Sequence, residues 1–463
     1  MKKLSKIYNT LLYLAPIVFF FSFWPALNFG ESDTMHFKLT LPLIWLVFFD
    51  VVSIYLVLAQ KKFNEIKRFY YLLLFPIFAT ISLFWSRNWL RGLFAVGVLW
   101  LIILAVLSIL LIGKTEVEKE FKKKFLKVFF GASVFVGLFC LLQCILDLVG
   151  VSREVTLMCA GCTYSEFGFP HPNGFAIEPQ FMGNLLLAPT MLAGYYMLRE
   201  RKYGWLFFFL SFALFLTFSR GAIYAFIISM AIYSIVNICR TKKWRAMMIW
   251  PIIVLAFLFT LNMQGIFAQV SKTNDTYLTG VSKVINHLSL GRIEFNKSEN
   301  EKEEVKEGEV IEEKEEAAFD GYVESSTTGR IEITNAMINT WKKNPMNIIF
   351  GVGFGGAGVA MYEAGEMGYA GEVGQNFYAS TLLETGLIGV VLFVFLFIMV
   401  IKNLINKQQY AVLLLMFAYA MTMMFFAGYI NAVHIFILPA MLSILDTNQL
   451  TNPKHKRQYR RAS

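Results

Sequence analysis

Long apolar runs constrain this chain more than any other feature. Leu11–Phe29, Gly92–Gly113 and Gly386–Ile401 contain no charged side chain. They approach or exceed the roughly 18 residues that span a bilayer. A window of about 19 residues finds about twelve such segments. They lie near 11–29, 39–60, 69–85, 92–113, 126–149, 175–198, 203–218, 221–239, 246–264, 376–401, 410–427 and 430–446. Composition agrees: 57% of residues are hydrophobic and 16% charged, where a soluble domain carries about 25% charge. The first run is long and no small-x-small site follows it, so it reads as a membrane helix rather than a cleaved leader.

Basic residues orient these segments. With a cytoplasmic N-terminus, the inward-facing stretches hold 27 of the 42 Lys and Arg, and the short outer loops hold Lys38, Arg87, Arg91, Arg153 and Arg220. This is the positive-inside bias, and it accounts for the net charge of +10 without nucleic acid. The expectation is an all-α polytopic membrane protein of about twelve transmembrane helices. Both termini face the cytoplasm, and one long extracytoplasmic loop carries short helices. Three regions follow: a membrane bundle of about nine spans over 1–264, the outer loop 265–375, and the last helices with a basic tail over 376–463.

Within the loop, residues 299–316 hold ten Glu and three Lys. Such a stretch buries too little apolar surface to fold, so disorder is expected. Next, 327–345 places Ile331, Ile333, Ala336, Met337 and Trp341 at mainly helical spacing. Thr327 or Thr328 suits an N-cap and Pro345 a stop, which puts Arg330 at the helix start. "GVGFGGAG" (351–358) has no βαβ unit around it for nucleotide binding and reads as a mobile or tightly turning link.

Polar groups gather at the outer boundary. "FSRGAIYAF" (218–226) sets Arg220 at a tight turn, where it either snorkels to the interface or holds an anion. "FPHPNGFAIEPQFMGN" (169–184) places Glu178 about one turn inside an apolar segment. Buried there, its carboxyl would have a raised pKa and would either pair with Arg220 or act as a base. Asn173 and His171 are weaker candidates. Trp85 and Trp89 suit the aromatic belt, with Arg87 and Arg91 as headgroup contacts. Cys159 and Cys162 form "CAGC", either a short disulfide or two thiols. One such pair is not a zinc site, so neither a metal nor another cofactor is expected.

In order along the chain, "LFWS" (83–86), "HPNGFA" (171–176), "FSRGAIYAF" (218–226), "TTGRIEI" (327–333), "NP…FGVGFG" (344–355) and "QNFYASTLLETGLIG" (375–389) resemble the O-antigen ligase and polymerase family of bacterial membrane glycosyltransferases. The resemblance implies a reaction at the outer face of the bacterial cytoplasmic membrane. The donor would be an undecaprenyl-diphosphate-linked glycan and the acceptor another glycan or a lipid-bound sugar. It associates Arg220 and Arg330 with the donor diphosphate and puts Gln375 and Asn376 on the acceptor side; Ser219 and Asn173, read from their own positions, join the two arginines as substrate-binding candidates. Where the family often has His as a base, this chain has Gln375, whose amide takes no proton at neutral pH but orients a hydroxyl. Glu178 is then the first alternative base, followed by Glu372 and His434.

Three functions are in play. The first is polymerisation of lipid-linked repeat units into a surface polysaccharide of O-antigen or capsule type. The second is ligase-type transfer of finished glycan to a lipid or protein acceptor. The third is a secondary transporter, although the polar groups gather at the outer face and not at the midplane. The implied partners are the polyprenyl-diphosphate-linked donor, the glycan acceptor, membrane lipids and the envelope polysaccharide export pathway.

Overall fold

The computed structural model describes residues 2–32, 35–117, 120–159, 161–241, 244–271, 275–289, 293, 318–371, 374–425 and 432–445. The described residues are helical almost throughout. In lipid a backbone finds no water, so peptide groups must bond within their own segment. The helices are α1 (Lys2–Phe20), α2 (Leu41–Ala59), α3 (Tyr71–Ser82), α4 (Trp89–Glu116), α5 (Phe121–Leu148), α6 (Arg153–Thr156), α7 (Tyr164–Phe167), α8 (Pro179–Met197) and α9 (Gly204–Leu216). They continue as α10 (Arg220–Thr241), α11 (Ile249–Val270), α12 (Tyr277–Ser289), α13 (Ala318–Lys342), α14 (Pro345–Phe350), α15 (Ala357–Glu363), α16 (Phe377–Asn406), α17 (Tyr410–Thr422) and α18 (Val433–Ile444). One antiparallel hairpin, β1 (Ala26–Ser32) with β2 (Met35–Thr40), joins α1 to α2.

Each of the twelve predicted segments contains a helix, but their lengths differ. Among the described residues, six helices are long and apolar enough to cross a membrane. A seventh results if the bent pair Lys62–Phe69 and Tyr71–Trp85 is one span. The run 11–29 is not a single helix: α1 ends at Phe20, and the N–H groups of Phe23 and Trp24 turn to the carbonyl of Phe175. Helix α9, with 13 residues, extends about 20 Å, short of a hydrocarbon core of about 30 Å. Helix α8 is less apolar because it lies inside the bundle. Every residue from Phe181 to Met197 is buried, and α9, α10, α17 and α5 pack around it.

The loop helix also differs from expectation. Helix α13 begins at Ala318, so Thr327 and Thr328 lie inside it and Arg330 is not at its start. No proline interrupts 318–326, and the helix runs back through them. It ends at Lys342. Asn344 then caps α14, its side chain accepting from the Met346 N–H at 2.9 Å, with Pro345 in the first helical turn. The acidic stretch 299–316 and the tail 447–463 lie outside the described residues.

The glycine-rich link turns tightly. Helix α16 kinks at Gly386 (φ 60°, ψ −166°). Just before the kink, the carbonyls of Leu383 and Glu384 accept from the N–H groups of Val352 (2.9 Å) and Gly353 (3.0 Å). The Glu384 carboxylate takes the N–H groups of Gly355 and Ala357, with Arg91 nearby. The link also clasps the α3–α4 turn: Ser86 Oγ donates to the Phe354 carbonyl (2.8 Å), and the Phe354 N–H donates to Ser82 Oγ (3.1 Å). "LFWS", "GVGFG" and "LLETGLIG" thus form one structural knot.

A Cβ on Gly386 would strike the Ile349 carbonyl and the Gly351 nitrogen, and its left-handed φ adds strain of about 1–3 kcal/mol. Gly386→Ala is therefore expected to lower the melting temperature of the detergent-purified protein. Gly97→Ala, where a methyl meets nothing within 4 Å, is expected to leave it unchanged or slightly raised.

Candidate functional site

A cavity of about 740 Å³ opens where several helix ends converge. Its wall combines the loop before α8, the α9–α10 turn, α12, α13, the start of α16 and the end of α17.

The α9–α10 turn is built locally. Phe218 adopts a left-handed φ of 47°. Thr217 Oγ1 accepts from the Ser219 N–H at 3.3 Å, and Ser219 Oγ accepts from the Ala222 N–H at 3.4 Å. Ser219 is thereby the cap of α10, and Arg220 is its first residue. Gly183 of α8 lies against Ser219 and Ala222, where a side chain would collide. Helix α8 therefore brings Glu178 and Gln180 to the same cavity as Arg220.

Arg330 reaches the cavity from the other side. Its Nη1 donates to the Phe425 carbonyl at 3.2 Å, and the Phe425 ring lies beside Gly221. Three helix N-termini meet this wall. Glu178 precedes α8 without a side-chain capping bond, with Pro179 in the first turn; Ser219 caps α10, and Asn376 caps α16 by accepting from Tyr378 N (3.0 Å) and Ala379 N (3.1 Å). Each N-terminus carries roughly half a positive charge. With two guanidinium groups added, the arrangement has the chemistry to hold an anion.

Beneath Arg220 lie two of the chain's five histidines. His171 and His287 are 9% and 5% exposed, with ring centroids 5.2 Å apart. His287 Nε2 lies 3.3 Å from the Phe218 carbonyl. Burial, Arg220 and Arg330 push the His287 imidazole down to about 3, against a weaker pull upward from the Phe218 carbonyl. Burial, then His287 and Arg220, hold His171 well below the usual histidine range. Both rings are neutral at physiological pH.

The cavity wall includes Glu178, Ser219, Arg220, Arg330, Gln375 and Asn376. Glu178 is not buried within a span, as the sequence reading expected. The chain from Pro170 to Ile177 is irregular, so the helix starts only at Pro179. The Glu178 carboxylate is half-buried, accepts from Gln180 Nε2 at 2.8 Å, and is the one carboxylate in the wall among the described residues. Asn173 is not in the wall. It is 3% exposed, its Oδ1 accepts from Cys159 N, and its Nδ2 donates to the carbonyls of Leu157 and Ala176. It staples the loop. His434 is buried between α17 and α18 against Tyr419, away from the cavity. Glu372 lies outside the described residues. Arg87 pairs with Glu363 at 3.4 Å, and Arg91 serves the Glu384 knot. Cys159 and Cys162 form a disulfide at the cavity edge. No group of three or more His, Cys, Asp or Glu among the described residues is placed to hold a metal ion.

Residues 205–394 match the family model described as O-Antigen ligase. Over that stretch, less than half of the chain, the protein is similar to the O-antigen ligase family. Its members are glycosyltransferase-like membrane enzymes, of ligase type or polymerase-like. The matched stretch runs from α9 into α16 and includes Arg220, Arg330, Gln375 and Asn376; Glu178 and His171 precede it. No curated protein matches the chain. Sequence reasoning missed His287. It lies on a short amphipathic helix outside every recognised motif, and its scarcity in the chain was the one available signal.

Two outcomes follow from this geometry. Ser219→Ala removes a cap and is expected to cost about 1 kcal/mol, while Ser219→Asp restores stability; thermal melts of both variants check this. Unfolding frees His287 to titrate near 6.5, whereas folded it titrates near 3. Between these values the unfolded state binds the extra proton, so stability falls as pH falls, by up to about 1.4 kcal/mol per pH unit. Melting temperatures from pH 7 to 4 are expected to drop, and to drop less in His287→Gln.

Proposed function

We propose that this protein polymerises lipid-linked oligosaccharide repeat units into a surface polysaccharide at the outer face of the bacterial cytoplasmic membrane. The observation that carries this reading is the meeting of Arg220, Arg330 and three helix N-termini at one cavity. The Lys and Arg distribution supports the orientation, with both termini inside and the loop 265–375 outside. A polyprenyl diphosphate is the anion that such a cradle would take from a membrane.

In this scheme an acceptor hydroxyl oxygen attacks the anomeric carbon of the donor sugar. The bond from that carbon to the diphosphate oxygen breaks, and the electron pair leaves with the diphosphate. Arg220 and Arg330 bind its oxygens, and the fixed positive field acts most strongly on the charge that develops at the leaving group. A diphosphate leaves readily, so the chemistry asks little of a general acid. Gln375 and the Asn376 amide nitrogen orient the hydroxyl, since the Asn376 oxygen is committed to capping. Glu178 takes the hydroxyl proton.

The second reading is ligase-type transfer of a finished glycan, which the description of the matching family model favours. Glycan length in a deletion strain separates the two. Single repeat units on the final acceptor would mark a polymerase; long chains stranded on the carrier lipid would mark a ligase. Arg220→Ala and Arg330→Ala, present at wild-type levels in the membrane, are each expected to lose at least about a hundredfold in activity. Glu178→Gln should fall further than Gln375→Ala. Normal glycan from both Arg variants would sink the diphosphate cradle.

A further inference from the structure

Arg220 leaves the wall from a turn held under strain. A non-glycine residue with a left-handed φ, here Phe218 at 47°, costs of order 1 kcal/mol or more and persists only when its surroundings enforce it. Three contacts enforce it. The Phe218 ring stacks on His171 (centroids 5.6 Å apart, 14° between planes) and meets Phe169 edge-on at 4.9 Å. The Phe218 carbonyl faces His287 Nε2 at 3.3 Å. A carbonyl only accepts, so Nε2 carries the proton and Nδ1 the lone pair. Nδ1 is buried and has no hydrogen-bond partner among the described residues.

Helix α12 is fastened firmly enough to act as a support. Lys283 pairs with Asp275 at 2.9 Å, and Tyr164 donates to the same carboxylate at 2.8 Å. Gly280 lies against Ala268 and the Gln264 backbone of α11. At its far end, the Tyr224 hydroxyl donates to the Leu288 carbonyl. Rungs at Phe218 and Tyr224 thus bracket Arg220 from two neighbouring residues, His287 and Leu288. A merely packed ring would need no donor aimed at the carbonyl of the strained residue.

We propose that His287 is a positioning residue for Arg220: its Nε2–H holds the Phe218 carbonyl and so fixes the direction in which Arg220 enters the anion cradle. The proposal rests on the reading of the cavity as a diphosphate site. The ring stays neutral because it is buried and because a third cation beside Arg220 and Arg330 would be repelled. Its neutrality also explains why a histidine, and not a lysine, fills this place: it donates without adding charge to a site already crowded with it.

The test uses the full chain in lipid nanodiscs and inorganic diphosphate as the probe, with binding measured by calorimetry. Glutamine puts an amide nitrogen near the position of Nε2, and asparagine puts one near Nδ1. His287→Gln is therefore expected to bind within about threefold of wild type. His287→Asn should lose roughly ten- to a hundredfold, the scale of a misplaced catalytic group. Adding His287→Asn to Arg220→Ala should cause no further loss, because both act through one guanidinium. Equal binding by the Gln and Asn variants, or additive losses in the double variant, would overturn the proposal. Loss in Arg220→Ala with none in His287→Asn strikes this inference alone. Unchanged binding in Arg220→Ala strikes the diphosphate reading itself and takes the inference with it.

Discussion

A helix that breaks inside an apolar bundle releases carbonyl groups that need new donors. Two breaks organise this protein, and each is answered by a specific partner. At Gly386 the donors are the N–H groups of Val352 and Gly353. At Phe218 the donor is His287. The first break welds the glycine-rich link to α16 and to the α3–α4 turn. The second ends α9 and starts α10, and it sets Arg220 at the head of the new helix. At both breaks, irregular backbone is completed by another part of the chain.

The electrostatics of the cavity depend on the same breaks. Helices that start at Pro179, Arg220 and Phe377 turn their N-termini to one wall. Arg220 and Arg330 add like charges close enough to repel each other. Such a concentration of positive charge is unfavourable when isolated in a poorly solvated setting and is relieved by an anion. The single carboxylate of the described wall, Glu178, is already engaged by Gln180. The neutral amide leaves the Glu178 charge in place, so the described wall sets one carboxylate against two guanidinium groups and three helix N-termini, and that excess of positive charge is the physical basis for reading the cavity as an anion site.

The six motifs that mark the family resemblance divide into two sets. "LFWS", "GVGFG" and "LLETGLIG" build the knot around Glu384, which therefore has a structural task. "FSRG", "TTGR" and the "QN" pair contribute to the cavity wall. "HPNG" serves both purposes: His171 lines the wall, and Asn173 is spent on the backbone of its own loop. Nothing in the linear order separates these sets, because motifs of the two kinds are interleaved along the chain. Asn173 looked like a ligand for the same reason it is a staple: a short amide side chain in an irregular loop finds backbone groups first.

Apolar runs and the placement of Lys and Arg determined by themselves that the chain is a helical membrane protein, because only burial in lipid accommodates so many uncharged residues in succession. They also marked Arg220, since a cation at an apolar boundary calls for a partner, whereas Arg330 was marked by the family resemblance. Span lengths were less legible, because hydropathy does not distinguish a lipid-facing helix from one such as α8 that is surrounded by protein. His287 was not legible at all. Its role depends on α12 folding back against α11 so that one imidazole nitrogen meets a carbonyl 69 positions earlier in the chain. Distances of that kind are set by packing in three dimensions, and local pattern carries no record of them.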